Sequence, residues 1–95
     1  MTQDDLPFQN HSETSKLAAE EACSMARTLR ERVYREIAAR GQVGATDDEL
    51  QVSLAMNPST QRPRRIELVT ACRVQDSGVK RKTRSGRLAV VWRAQ

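Results

Sequence analysis

Thr46-Asp-Asp-Glu-Leu-Gln-Val-Ser-Leu-Ala-Met-Asn-Pro-Ser-Thr-Gln-Arg-Pro-Arg-Arg-Ile-Glu-Leu-Val-Thr-Ala-Cys72 decides the fold, because it reads as a helix, a tight turn and a second helix. Thr46 has the side chain of an N-cap, and Glu49 three residues later completes a capping box. Leu50 and Leu54 recur at helical spacing, with Val52 and Ala55 beside them. Asn57-Pro58 stops this helix, since proline has no N–H to donate and biases Asn57 away from helical dihedrals. Ser59 is placed to cap a second helix, predicted over about residues 59–72, which opens with Thr60-Gln-Arg-Pro-Arg-Arg65. Cationic and amide side chains at the front of such a helix suit phosphates and base edges in a DNA major groove.

Upstream, Thr28-Leu-Arg-Glu31 is another capping box and predicts a helix start. Leu29, Val33, Ile37 and Ala38, with Tyr34 alongside, give that helix one apolar face, and Gly41 supplies its C-cap. Residues 12–26 predict a separate N-terminal helix with a thin stripe of Leu17, Ala18, Glu21, Ala22 and Met25. Its alanines favour helix yet offer little area to bury, so it needs a partner surface, either its own domain or a second protomer. Residues 1–11 are polar, broken by Pro7, and read as a loose arm.

Downstream, Val74 to Lys82 predicts a strand kinked at Ser77-Gly78, Thr83-Arg-Ser-Gly86 a turn, and Leu88 to Trp92 a second strand by its alternation. The result is an α+β, mainly α chain. A three-helix core is followed by a C-terminal β-hairpin, the order of a winged helix-turn-helix over residues 27–95, with the extra helix in front.

Ninety-five residues make one domain, and three aromatic residues (Phe8, Tyr34 and Trp92) leave the core to aliphatic side chains. The net charge of +4 conceals a polarity. Residues 1–58 carry six Lys/Arg against ten Asp/Glu, and residues 59–95 carry ten against two. A balance of +8 over the second segment points to a polyanion, whereas a solvated surface would explain +4 overall. Cys23 and Cys72 are far apart and without metal-ligand spacing, so both read as small core filler.

No basic and apolar leader opens the chain and no apolar run reaches membrane-spanning length, which predicts a cytoplasmic protein with reduced thiols and no membrane partner. His11 stands alone, Asp47-Asp-Glu49 are dipole partners of a helix start, and Gly41-Gln-Val-Gly44 lacks a phosphate-loop lysine. The pattern predicts neither enzyme activity nor a metal or cofactor.

Four segments carry a family resemblance: Glu13-Thr-Ser-Lys-Leu-Ala-Ala19, Ala45-Thr-Asp-Asp-Glu-Leu50, Arg62-Pro-Arg-Arg-Ile-Glu-Leu68 and Arg81-Lys-Thr-Arg-Ser-Gly-Arg-Leu-Ala-Val-Val-Trp92. Over roughly residues 12–94 the chain resembles small winged-helix proteins of bacteriophages and prophages, and more loosely MarR-like regulators. The resemblance implies sequence-dependent DNA binding, with the second helix of the pair in the major groove and the wing beside it. For a phage-encoded protein the compartment would be the bacterial host cytoplasm. The chain departs from the pattern at Cys72-Arg-Val74, where such families carry Gly-Leu-Ile or Gly-Leu-Val. It departs again at Gln61 and Arg65, which stand at commonly apolar positions. Arg65 can therefore face DNA or tuck its stem against the core or a carboxylate.

The DNA-contact candidates are Ser59, Thr60, Gln61, Arg62, Arg64 and Arg65 on the recognition helix, and Lys80, Arg81, Lys82, Arg84 and Arg87 on a wing over about 79–88. Arg62 and Arg64 lead the first set because Gln61 and Arg65 stand at the commonly apolar positions, and three arginines near a helix N-terminus oppose its dipole unless an anion compensates, which favours binding. The bland alternatives are a solvated helix start and a charged edge strand that discourages aggregation. If Arg62, Arg64 and several wing cations met phosphates, raising salt from 50 to 200 mM would weaken binding by about 10³-fold or more.

The expected partner is double-stranded DNA, bound by a small phage or prophage transcriptional regulator. The alternatives are an accessory protein of replication, excision or packaging, and a winged helix used for protein interaction. A homodimer through Leu17, Ala18, Ala22 and Met25 would match a site of two half-sites, against a helix folded back on its own domain.

Overall fold

The computed structural model describes the backbone of residues 8–95 and the side chains from Ala18 onward. Three helices, α1 (Phe8–Ala39), α2 (Asp47–Leu54) and α3 (Pro58–Thr70), precede an antiparallel hairpin of β1 (Val74–Lys82) and β2 (Leu88–Ala94). This mainly helical α+β order is compatible with a winged helix.

Where two N-terminal helices were expected, α1 is one helix of 32 residues. Thr28 sits inside it and donates its hydroxyl to the Ser24 carbonyl at 3.1 Å instead of capping a new start. Neither glycine nor proline occurs between Phe8 and Ala39, so nothing interrupts the hydrogen-bond ladder. The helix begins at Phe8, which takes the last four residues of the expected loose arm, and residues 1–7 of that arm lie outside the described residues. Among the described side chains of α1, those of the C-terminal part pack on the domain, where Val33 and Ile37 are fully buried, while residues 18–25 are exposed.

Gly41 ends α1 with a positive φ of 54°, as its position predicts. Gly44 then brings the chain against β2: a Cβ there would lie 2.4 Å from the Trp92 carbonyl oxygen. This close approach lets Ala45 pair with Trp92, through N–H···O bonds of 3.0 and 2.8 Å, on the edge of β2 opposite β1.

The capping box of α2 is complete, with Glu49 N–H donating to Thr46 Oγ1 at 3.1 Å and Thr46 N–H to Glu49 Oε1 at 3.2 Å. The cap of α3 is Asn57, not Ser59. Thr60 N–H donates to Asn57 Oδ1 at 2.9 Å, and Pro58 occupies the first helical position, where its missing N–H costs nothing. The C-terminal turn of α3 has no glycine, and Cys72 takes the left-handed conformation itself, with φ 60°. Arg73 N–H then donates to the Leu68 carbonyl and Cys72 N–H to that of Val69, a Schellman pattern. Both cysteines are consequently exposed and not core filler: Cys72 lies past the helix end, and Cys23 on the part of α1 that leaves the domain.

The expected kink in β1 is a bulge. Asp76 opposes Trp92 and Lys80 opposes Val90, so Ser77, Gly78 and Val79 face a single residue. Val33, Ile37, Ala45, Leu50, Met56, Leu68 and Val74 form the buried core, with Leu29, Tyr34, Leu54, Val69 and Trp92 packed on it. Ile66, a natural core candidate, is 52% exposed. Among the described residues no helix is long and apolar enough to cross a membrane.

Candidate nucleic-acid interface

The register of α3 decides which of its polar residues can meet a ligand. Gln61 and Leu68 point inward, and Gln61 is fully buried. Its Oε1 accepts from Gln51 Nε2 at 3.0 Å and its Nε2 donates to Asp47 Oδ1 at 2.9 Å, so this amide ties α3 to α2 and does not read DNA. Arg65 turns the same way: Nε and Nη2 reach the two Asp47 oxygens at 3.0 and 2.7 Å, and its guanidinium lies 4.3 Å from the centroid of the Trp92 ring. Of the two roles open to it in the sequence, Arg65 adopts the inner one, with its side chain 17% exposed.

Arg64, a leading DNA candidate in the sequence, is only 18% exposed and donates to Glu67 at 2.8 Å, one turn on. The same Glu67 accepts from Arg30 of α1 at 2.9 Å, so Arg64 belongs to a helix-to-helix clasp. That leaves Ser59, Arg62, Ile66 and Thr70 as the outward stripe of α3, at a spacing of three and four residues, with Thr60 half-buried beside it. Arg62 is the cation of this stripe.

The wing divides in the same manner. Arg81, on the hairpin face toward α2, donates to Glu49 at 2.7 and 2.8 Å and to the carbonyls of Val43 and Gly44. Arg84, in the turn, donates to Asp48 at 2.7 and 2.9 Å. Lys80 and Lys82 oppose Val90 and Leu88 and therefore share the face of the hairpin that carries Trp92. Both are exposed, as is Arg87, and among the described residues none of the three forms an ion pair. Arg62 and Arg87 border one cleft of about 540 Å³, lined also by Thr83 and Ser85 of the turn, by Leu88 and Ala89 of β2 and by Asp47, Asp48 and Gln51 of α2.

The three consecutive acids at the start of α2 organise this arrangement. Asp47 holds Arg65, Asp48 holds Arg84 and Glu49 holds Arg81, so α2 fastens both α3 and the wing while its carboxylates also satisfy the helix dipole. Hydrogen bonds from Arg81 keep the Glu49 carboxyl below its ordinary 4.5, and those from Arg84 keep Asp48 below 3.8. Glu31 of α1 is likewise lowered by Arg73, whose guanidinium lies 4.0 Å from the centroid of the Tyr34 ring. Half of the ten cations in residues 59–95 are thus neutralised inside the fold, at Arg64, Arg65, Arg73, Arg81 and Arg84. Because the carboxylates bordering the cleft are already paired, Arg62 and Arg87 give it a net positive charge.

Composition indicates the sign of this surface but overstates its strength. The acidic triplet was legible as a helix start, yet nothing in its spacing names the arginine each carboxylate would clasp. Its one signal was that the acidic excess of the first segment complements the basic excess of the second.

On α1, Ala18, Ala22 and Met25 are exposed, Met25 to 66%, whereas the side chain of Leu17 lies outside the described residues. Comparison with known proteins finds no family, no characterised protein and no solved structure that matches this chain.

Proposed function

We propose that this protein binds duplex DNA in a sequence-dependent way as a winged helix-turn-helix, and that it serves as a small phage-type transcriptional regulator without catalytic activity. α3 enters the major groove with Ser59, Arg62, Ile66 and Thr70, and the hairpin follows the backbone with Lys80, Lys82 and Arg87. The observation that carries this reading is the sorting of the cations. Five of the ten in residues 59–95 are consumed by carboxylates and Arg93 donates to the Gln42 carbonyl, while Arg62 on α3 and Lys80, Lys82 and Arg87 on the wing are exposed and outside every ion pair among the described residues, with Arg62 and Arg87 bordering one cleft.

The test is fluorescence anisotropy with a labelled mixed-sequence duplex across a salt series. With four phosphate contacts, each adding about 0.9 to the logarithmic slope, binding should weaken about a hundredfold between 50 and 200 mM salt. This is less than the unsorted charge of the sequence suggests. Preference for one selected duplex over random DNA separates a regulator from an accessory protein of replication, excision or packaging. A protein-interaction module is the second reading, favoured by exposed Ile66 and Leu88 beside the cations, and it predicts binding indifferent to duplex DNA.

The free part of α1 supports a homodimer. Ala18, Ala22, Met25 and Leu29 follow a four-three-four spacing that continues the stripe of Val33 and Ile37 beyond the edge of the domain. In an antiparallel pairing centred between Cys23 and Ser24, Glu20 meets Arg27 of the partner subunit, and the same contact recurs across the two-fold axis. Doubling the phosphate contacts raises the same salt effect to about 10⁴-fold. Sedimentation of the full chain at tens of micromolar tests this, and a monomer with and without DNA would contradict it.

A further inference from the structure

We propose that Asp48 acts as an internal substitute for a phosphate: it holds Arg84 on α2 until a polyanion takes that guanidinium away, so the Asp48–Arg84 contact restrains DNA binding. The inference rests on the duplex-binding reading given above. Three arginines are clasped by the acids of α2, and they are not equivalent. Arg65 is inside, its cation over Trp92. Arg81 is anchored by Glu49 and by two backbone carbonyls, at 3.2 and 3.3 Å. Arg84 has Asp48 as its acceptor, through Nε at 2.9 and 3.1 Å and Nη2 at 2.7 Å, and its side chain is 71% exposed.

The fork that Arg84 presents to the two oxygens of Asp48 is the same one that arginine presents to a phosphate. An ion pair this exposed favours the closed arrangement by a factor of about five at most, so a phosphate can displace the carboxylate without disturbing the fold. The place from which it would do so is on hand. Asp48 borders the cleft that Arg62 and Arg87 border, and Thr83 and Ser85 of the same turn line it. A phosphodiester drawn in by Arg62 and Arg87 meets Asp48 as a like charge and, beyond it, Arg84 as a third cation, which borders the neighbouring cleft with Arg40 and Glu49. Binding therefore exchanges one anion for another at Arg84, and the wild-type protein gives up the part of its affinity that Asp48 opposes.

The experiment is a double-mutant cycle on the full chain, with Asp48→Asn, Arg84→Gln and the pair, read by anisotropy on a labelled mixed-sequence duplex at constant salt. Asp48→Asn keeps the shape of the side chain, and far-UV circular dichroism of each variant verifies the fold. Asp48→Asn is expected to tighten binding about two- to fivefold, the value of the exposed pair it removes. Adding Arg84→Gln should abolish that gain, while Arg84→Gln alone changes wild-type affinity less than it changes that of the Asp48→Asn protein. If Asp48→Asn binds no tighter than wild type, the restraint is overturned and the duplex reading stands. If the gain survives in the double variant, Asp48 acts only through general repulsion and the exchange at Arg84 is overturned. If neither wild type nor Asp48→Asn binds duplex, the DNA reading itself fails and takes this one with it.

Discussion

Replacing Arg65 with methionine separates a structural arginine from a DNA-reading one. Methionine keeps the unbranched stem and much of its packing, so the change removes the guanidinium with little cavity. Two charge-assisted bonds to Asp47, at 3.0 and 2.7 Å, are lost together with the contact over Trp92. Hydrogen bonds to charged groups contribute about 1.5–3 kcal/mol, and a cation over an aromatic ring about 0.5–1 kcal/mol. Gln61 still donates to Asp47, which softens the loss, and the pair keeps some contact with solvent. The net cost should be about 2–4 kcal/mol, a fifth or more of the stability of a domain worth about 5–10 kcal/mol.

Urea unfolding followed by circular dichroism measures the change, and combining Arg65→Met with Asp47→Asn should reveal a coupling above about 1 kcal/mol. Under conditions where it is fully folded, Arg65→Met should bind duplex within about twofold of wild type, since the side chain makes none of the phosphate contacts counted in the salt slope. Unchanged stability together with a tenfold loss of DNA affinity would refute the inward placement of Arg65 and, with it, the sorting of the cations.

Ala55 and Cys72 both hold left-handed conformations, φ 54° and 60°, so Ala55→Gly and Cys72→Gly should each raise the unfolding free energy by about 0.5–1 kcal/mol in urea titrations. Gly44→Ala should do the opposite, because its Cβ would meet the Trp92 carbonyl at 2.4 Å and Val91 at 2.8 Å; a loss above about 3 kcal/mol is expected, measured as a lowered urea midpoint. The carboxyls of Glu49 and Asp48 are lowered in the folded state, so their stabilising effect is complete above their ordinary values of 4.5 and 3.8 and is lost as pH falls through the folded ones. Stability measured from pH 6 downward should therefore decline below about pH 4.5, and Arg81→Gln should lower the plateau and flatten the decline; an identical slope in that variant would show that Glu49 is not held by Arg81.

Most of the backbone was legible because its signals are local. The capping box at Thr46, the left-handed glycine at Gly41, the strand limits at Val74 and Lys82 and the bulge at Ser77-Gly78 each depend on a few adjacent residues. Where local rules competed, the reading failed. Asn57-Pro58 carries both a helix stop and a helix start, and the start won because Asn57 caps while Pro58 fits the first turn. Thr28-Leu-Arg-Glu31 has the residues of a capping box, but an uninterrupted run of helix formers on either side leaves no end to cap.

The site was less legible, because an arginine's availability depends on its long-range partners. Arg62 and Arg64 are two residues apart in sequence, and only the packing of α3 against α1 assigns one to solvent and the other to Glu67. Gln61 and Arg65 are polar residues at inward positions of α3, and they hold those positions through hydrogen bonds to Asp47 that no local sequence rule indicates.

The most direct measurement compares the salt dependence of duplex binding for wild type with that of Arg62, Lys80, Lys82 and Arg87 all changed to alanine, using the exposed Arg32 and Arg35 changed to alanine as the control. Each phosphate contact adds about 0.9 to the slope of log K against log salt, so removing the four should reduce the slope by about 3.6 per protomer, while the control pair leaves it unchanged. A slope that stays the same in the fourfold variant, or falls equally in the control, would contradict the account.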